Sequence, residues 1–184
     1  MVALLALVIS GIAAGASAYQ TYVIRKQFSA TVWPYLTFIT SSSQGKYLEL
    51  DVSNVGIGPA LIYSAVITRD GKPVKRTVGL TNEPAIAAAI APERAAANID
   101  ERKNRAHGTA SMTVSTIASG DVVSAGSKLE LLRVEGKYLT DRVMAHVRRF
   151  DLTLCYCSLL GDCWTKRLWD AGVQPHPIRA CQNA

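Results

Sequence analysis

The first 24 residues, Met1 to Ile24, carry no charged side chain. As an α-helix rising about 1.5 Å per residue they reach about 36 Å, more than the roughly 30 Å hydrocarbon core of a bilayer. A stretch this apolar has two ordinary fates: it spans a membrane, or it directs secretion and is removed. The run Val2-Ala3-Leu4-Leu5-Ala6-Leu7-Val8-Ile9 leads into small residues from Gly11 to Ala18. Gly11, Ala14, Gly15 and Ala18 suit close packing of one membrane helix on another, so self-association is one expectation. Ala16-Ser17-Ala18 fits a cleavage site, after which a mature chain would start at Tyr19. Against removal, no Lys or Arg precedes the apolar run, and Tyr19 to Phe28 continues without a helix breaker. Tyr19 and Tyr22 fall where interfacial aromatics collect, with Arg25 and Lys26 just beyond. These residues predict a retained single-pass anchor and juxtamembrane helix over residues 1–30, with the lipid bilayer as first partner.

Residues 31–184 read as one mainly β domain, and roughly 150 residues can bury a sizeable core without staples. Trp33-Pro34 ends the anchor helix, because Pro34 disfavours helix at Trp33 and donates no hydrogen bond. Strands are expected at Tyr35–Thr40 and Lys46–Asn54, the latter alternating Leu48, Leu50 and Val52 with Glu49, Asp51 and Ser53. Asn54-Val55-Gly56-Ile57-Gly58-Pro59 reads as a strand connection. A further strand, Ala60–Arg69, turns at Asp70-Gly71 into Lys72–Lys75. The Ala-rich segment 84–107 is split by Pro92, which predicts two short helices, the second stopping at Gly108. Strands resume at Ser111–Ala118 and Lys128–Val134 around a turn region at Gly120–Gly126. A short amphipathic helix covers Tyr138–Arg149, where Leu139, Val143 and Val147 recur every four residues. Phe150–Ser158 and Cys163–Trp169 form a hairpin, and the tail from Gly172 reads as irregular. Many short strands separated by turn signals predict an antiparallel β-sandwich-like domain with short helical insertions.

The net charge of +6 favours anionic neighbours, and lipid headgroups beside the anchor suit it better than nucleic acid. Nucleic-acid binding would call for a basic stripe interleaved with aromatics, and only 7% of residues are aromatic. The four cysteines are the most specific chemistry in the chain. Cys155 and Cys157 share one face of a strand, Cys163 lies across the turn, and Cys181 is in the tail. This spacing fits neither a zinc knuckle nor a CxxC redox pair. In an oxidising compartment Cys163 bridges Cys157 or Cys155, with Cys181 stapling the tail to whichever remains; in a reducing one all four serve as buried thiols. His107, His146 and His176 belong to separate elements and to no catalytic motif. Glu49 and Asp51, roughly 7 Å apart on one strand face, match acid–base chemistry and also a solvated outer face. Gly56-x-Gly58-Pro59 lacks the lysine and following helix of a phosphate loop.

Trp33-Pro34-Tyr35-Leu36, Asn54-Val55-Gly56-Ile57-Gly58-Pro59-Ala60 and Cys155-Tyr156-Cys157-Ser158 with Gly161-Asp162-Cys163-Trp164 carry a resemblance. In these motifs and their order the chain resembles an uncharacterised group of bacterial single-pass membrane proteins with an N-terminal span. The resemblance covers most of the chain apart from 84–107 and implies a bacterial inner-membrane setting, but no activity. With no catalytic constellation recognised, the residues favour a membrane-anchored binding or scaffold module, engaging a protein partner or a second copy, over an enzyme. The competing readings are a membrane-associated enzyme or a metal or thiol site around Cys155, Cys157 and Cys163, and a secreted disulfide-stapled domain. No cofactor, nucleic acid or small-molecule substrate is expected. Orientation is divided: Arg25 and Lys26 after the span vote for a cytoplasmic domain, cysteine usage for a periplasmic one.

Overall fold

The apolar run folds as a single helix. In a computed structural model, which describes residues 2–43, 46–74, 83–103, 111–170 and 172–181, α1 covers Val2–Thr31. Its Ala6–Phe28 portion is long and apolar enough to cross a membrane, and none of that window is buried against the rest of the chain. Then come β1 (Leu36–Ser43), β2 (Tyr47–Asn54), β3 (Ala60–Arg69), β4 (Lys72–Pro73) and α2 (Glu83–Lys103). They are followed by β5 (Ser111–Val114), β6 (Val122–Val123), β7 (Lys128–Glu135) and α3 (Lys137–His146). A 3-10 turn at Val147–Arg149 leads into β8 (Phe150–Cys157), β9 (Cys163–Arg167) and β10 (His176–Ile178).

Two antiparallel sheets result. One runs β1-β2-β7-β5; the other runs β10-β9-β8-β3-β4, with β6 also paired to β3. Alternation places Leu36, Leu48, Val52 and Val134 of the first sheet in the same buried cluster as Ala60, Ile62, Leu152, Leu154 and Tyr156 of the second. Ile90 and Ala97 of α2 and Leu139 and Val143 of α3 join that cluster. The β3–β4 turn has positive φ at both Asp70 and Gly71, the handedness a tight two-residue hairpin needs.

Four sequence expectations change. First, the Ala-rich segment is one 21-residue helix containing Pro92, not two short insertions. Pro92 is exposed while Ile90, Glu93 and Ala97 are buried, so the proline ring stands on the water side and the buried stripe holds the helix together. Residues 104–110, with the expected stop at Gly108 and with His107, lie outside the described residues, as does Lys75. Second, the strand expected over Ser111–Ala118 ends at Val114. A register shift on β7, where Leu50 faces Leu132 and Asp51 faces Glu130, leaves Leu131 as an extra residue, and only Ser115 continues the pairing, bonding the Leu131 carbonyl. Third, short strands occupy segments expected to be turn or irregular: β6 pairs with Ala60 and Leu61, and β10 with β9. Fourth, Asp51 is not on a solvated face. It keeps the face of Glu49 but is covered, at 0% exposure, with Lys128 of β7 2.6 Å from its carboxylate.

Candidate functional site

The three sequence motifs, spread along the chain from Trp33 to Trp164, meet at the root of the anchor. After α1 the chain leaves through Val32-Trp33-Pro34-Tyr35, and the loop after β2 is laid against that exit. Ile57 donates its backbone N–H to the Trp33 carbonyl at 3.2 Å, and Val55 donates to the Tyr35 carbonyl at 2.9 Å. The approach is too close for side chains. A Cβ on Gly56 would stand 2.4 Å from the Trp33 oxygen and the Tyr35 nitrogen, and one on Gly58 would stand 1.7 Å from the Val32 oxygen. The glycines serve contact with another stretch of backbone, a role the sequence reading missed.

Asn54 is the centre of this junction and is fully buried. Its Oδ1 accepts from the backbone N–H groups of Tyr35 and Gly56, each at 3.1 Å. Its Nδ2 donates to the carbonyls of Gly58 at 2.8 Å and Val123 at 2.9 Å. An asparagine amide offers two donors and two acceptor lone pairs, and all four are used here. One side chain thereby ties the anchor exit, the glycine loop and β6 together. The only clue in the sequence was an Asn opening a loop whose glycines need not have served turns.

The cysteine hairpin forms the other wall. Leu154 and Tyr156 of β8 face the core, so Cys155 and Cys157 point to the opposite face. Cys157 bonds Cys163, its direct partner across β8–β9, with sulfurs at 2.02 Å. Cys155 bonds Cys181, with sulfurs at 2.00 Å, drawing the tail over the hairpin. The sequence had left the partner of Cys163 open between Cys157 and Cys155. The Tyr156 hydroxyl accepts the Leu36 N–H at 3.3 Å, and burial pushes its pKa well up. Rings pack outward from it: Tyr156 with Trp164 at 5.9 Å, Trp164 with Trp33 at 6.3 Å, and Trp33 edge-on to Tyr35 at 5.4 Å. Between α1 and the hairpin lies an open cleft of about 660 Å³ bordered by Lys26, Trp33, Asp162, Trp164, Ile178 and Arg179. A smaller space below it is bordered by Tyr22, Arg25, Lys26, Leu160 and Asp162. Lys26 thus lines both spaces and Arg25 and Tyr22 the lower one, while Tyr19 is exposed farther down α1.

The remaining candidates lie elsewhere. Carboxylate oxygens of Glu49, Asp51 and Glu130 gather within 4.8 Å of one another. The Lys128 ammonium already sits among them, 2.6 Å from Asp51 Oδ2 and 2.9 Å from Glu49 Oε1. The Lys128 hydrogen bond holds the Glu49 carboxyl below its usual value, while burial pushes Asp51 up against the same lysine. The two carboxylates in turn raise Lys128. Glu49 and Asp51 thus form an ion-paired cluster around Lys128, not an exposed acid–base pair. Of the two described histidines, His146 ends α3 and His176 begins β10. Lys166, nearly fully buried, is satisfied by the carbonyls of Asp170 and Val173. No known protein family, curated protein or solved structure matches the chain.

Proposed function

We propose that this chain is a single-pass, membrane-anchored binding or scaffold module, with a sandwich-like β domain held at a fixed attitude to the bilayer. One observation carries the reading: the anchor exit is clamped, not flexibly linked. A simple tether needs only a few flexible residues. Here a buried asparagine, two close-approach glycines and an aromatic stack immobilise the four residues that follow the helix. Such a joint is useful where a domain must meet a partner protein, or a second copy, at a set height and angle. Both disulfides favour an extracytoplasmic domain, and they outweigh the two cations after the span as an orientation signal.

Measurements on the native membrane fraction test this. The intact chain should stay in the pellet after alkaline carbonate extraction, with its mass including residues 1–18 and all four cysteines resistant to alkylation until reduced. A mature chain beginning at Tyr19 would replace the anchored reading with the secreted one. Free thiols holding a stoichiometric metal would favour the site around Cys155, Cys157 and Cys163. Photo-crosslinkers placed at exposed Ile99 and Met144 should then trap a discrete partner or a homodimer.

A further inference from the structure

The exposed apolar side chains of the β domain are unevenly distributed. Outside α1, the four large hydrophobic residues more than 55% exposed are Ile57 (67%), Leu159 (66%), Val55 (60%) and Val122 (56%), counted among the described residues. All four lie at the end of the sheets from which α1 departs. Val55 and Ile57 flank Gly56 in the loop bonded to Trp33 and Tyr35. Val122 pairs with Leu61, and Leu61 faces Cys157. Leu159 is in the turn between Cys157 and Cys163. Ile99 of α2 follows alone at 54%; isolated exposed hydrophobics are ordinary, but four of the most exposed gathered at one end of a domain mark a contact.

The height of this end along the anchor says what it contacts. Leu160 and Asp162, in the same turn, border a space shared with Tyr22 and Arg25 of α1. Tyr22 lies nine residues before the end of the helix, about 13 Å down its axis. It also falls inside the Ala6–Phe28 stretch that is apolar enough for a membrane. The β8–β9 turn therefore reaches to the depth where the span enters lipid. Arg25, Lys26 and Arg179 supply positive charge around that level, against the carboxylate of Asp162, with Trp33 and Trp164 between them. Apolar tips flanked by Trp, Lys and Arg are what interfacial lipid favours.

We propose that this end of the domain is a second membrane contact: Val55, Ile57, Val122 and Leu159 insert among the headgroups, and Lys26 and Arg179 take lipid phosphates in the cleft. The occupant is an anionic phospholipid surface, and the domain lies against the bilayer instead of standing off it. The inference rests on α1 being a retained anchor. The tail supplies part of the cleft wall, because pairing with β9 and the Cys155–Cys181 bond place Ile178 and Arg179 there.

The test uses the full chain in nanodiscs of phosphatidylcholine and phosphatidylglycerol. The protein has three tryptophans. Trp33 and Trp164 are at the anchor end, whereas Trp169 bonds the Phe150 carbonyl at the opposite end. Pairs of Trp→Phe substitutions leave one reporter at a time. Brominated lipid is expected to quench Trp33 and Trp164 and leave Trp169 bright. Leu159→Glu should restore Trp164 emission. Arg179→Ala should lower the ratio of docked to undocked domain about fivefold in anionic discs and little in neutral ones. In the wild-type chain, amides of 55–57 and 159–160 should exchange more slowly in anionic than in neutral discs, a readout that needs no substitution. Quenching of Trp33 with Trp164 as bright as Trp169 overturns the docking proposal and leaves the anchor intact. Loss of quenching at Trp33 as well, with the chain washed from the discs, overturns the anchor reading instead. A dimer that Leu159→Glu dissociates, with Trp164 quenching unchanged, assigns this end to a second copy and also overturns the proposal.

Discussion

The two ends of the β domain are held together by different forces. At the anchor end a buried Asn54 makes four hydrogen bonds, glycines let two backbone stretches touch, and two disulfides close the hairpin and tail. At the opposite end the strand termini are joined mainly by charge. Arg149 makes a two-point pair with Asp70, at 2.7 and 2.8 Å. Arg167 pairs with Asp151 across β8–β9, and Arg69 reaches the buried Glu93 of α2 at 2.7 Å while lying over the Phe150 ring. Neutral hydrogen bonds shielded from water and covalent bonds respond little to salt or mild acid, whereas exposed ion pairs respond to both. The joint that sets the attitude of the domain is thus built from the less sensitive interactions, and the far end can adjust without moving it.

The largest effect is expected from Asn54→Ala, which strips partners from two N–H groups and two carbonyls at a site without water access. A loss of about 4 kcal/mol, read by thermal unfolding of the detergent-solubilised chain, is expected from the cost of buried unsatisfied groups. If Asn54→Ala is mild, the joint is not the rigid part of the molecule. Gly58→Ala should cost about 3 kcal/mol, because its Cβ meets backbone that cannot swing away, which puts its effect between those of the two disulfides. Removing Cys155–Cys181, whose partners are 26 residues apart, should cost about 3.5 kcal/mol, and removing Cys157–Cys163, 6 apart, about 2.2 kcal/mol, if loop entropy dominates. Equal losses for the two bridges would place their contribution in the native hairpin instead of in the unfolded chain.

Smallest is Asp70→Asn at the far end, where both partners are about half exposed. It should speed amide exchange around Arg69 and Phe150 at low salt, and the difference should vanish at high salt. The same pair gives the far end an acid response. Arg149 holds the Asp70 carboxyl below its ordinary 3.8, so the unfolded chain binds the proton first as pH falls. The contribution is present in full well above 3.8 and is lost as pH drops through the lower folded value. Exchange measured across that window should loosen 69–70 and 149–151 before 54–58. Simultaneous loosening of both ends would erase the contrast.

Strands, hairpin turns and the apolar helix were legible because each depends on a local period or a local turn residue. Lys46–Asn54 alternates, Asp70-Gly71 takes the positive φ its residues favour, and nothing in Met1–Ile24 opposes a helix. Pro92 misled because local propensity counts the lost hydrogen bond and not the burial of Ile90 and Ala97 that outweighs it. Asp51 misled because alternation gives its face, which it shares with Glu49, but not what covers that face: Lys128 of β7, a strand distant in sequence, lies over it.

What the sequence determined by itself was the apolar helix, the mainly β character of the rest, and the shared strand face of Cys155 and Cys157. Which cysteine Cys163 would join, and that Asn54, Gly56 and Gly58 would close on Trp33 and Tyr35, was decided by the tertiary structure alone. Those choices depend on distances between segments up to 120 residues apart, as the Leu36–Tyr156 contact illustrates. Only packing around a shared core sets such distances.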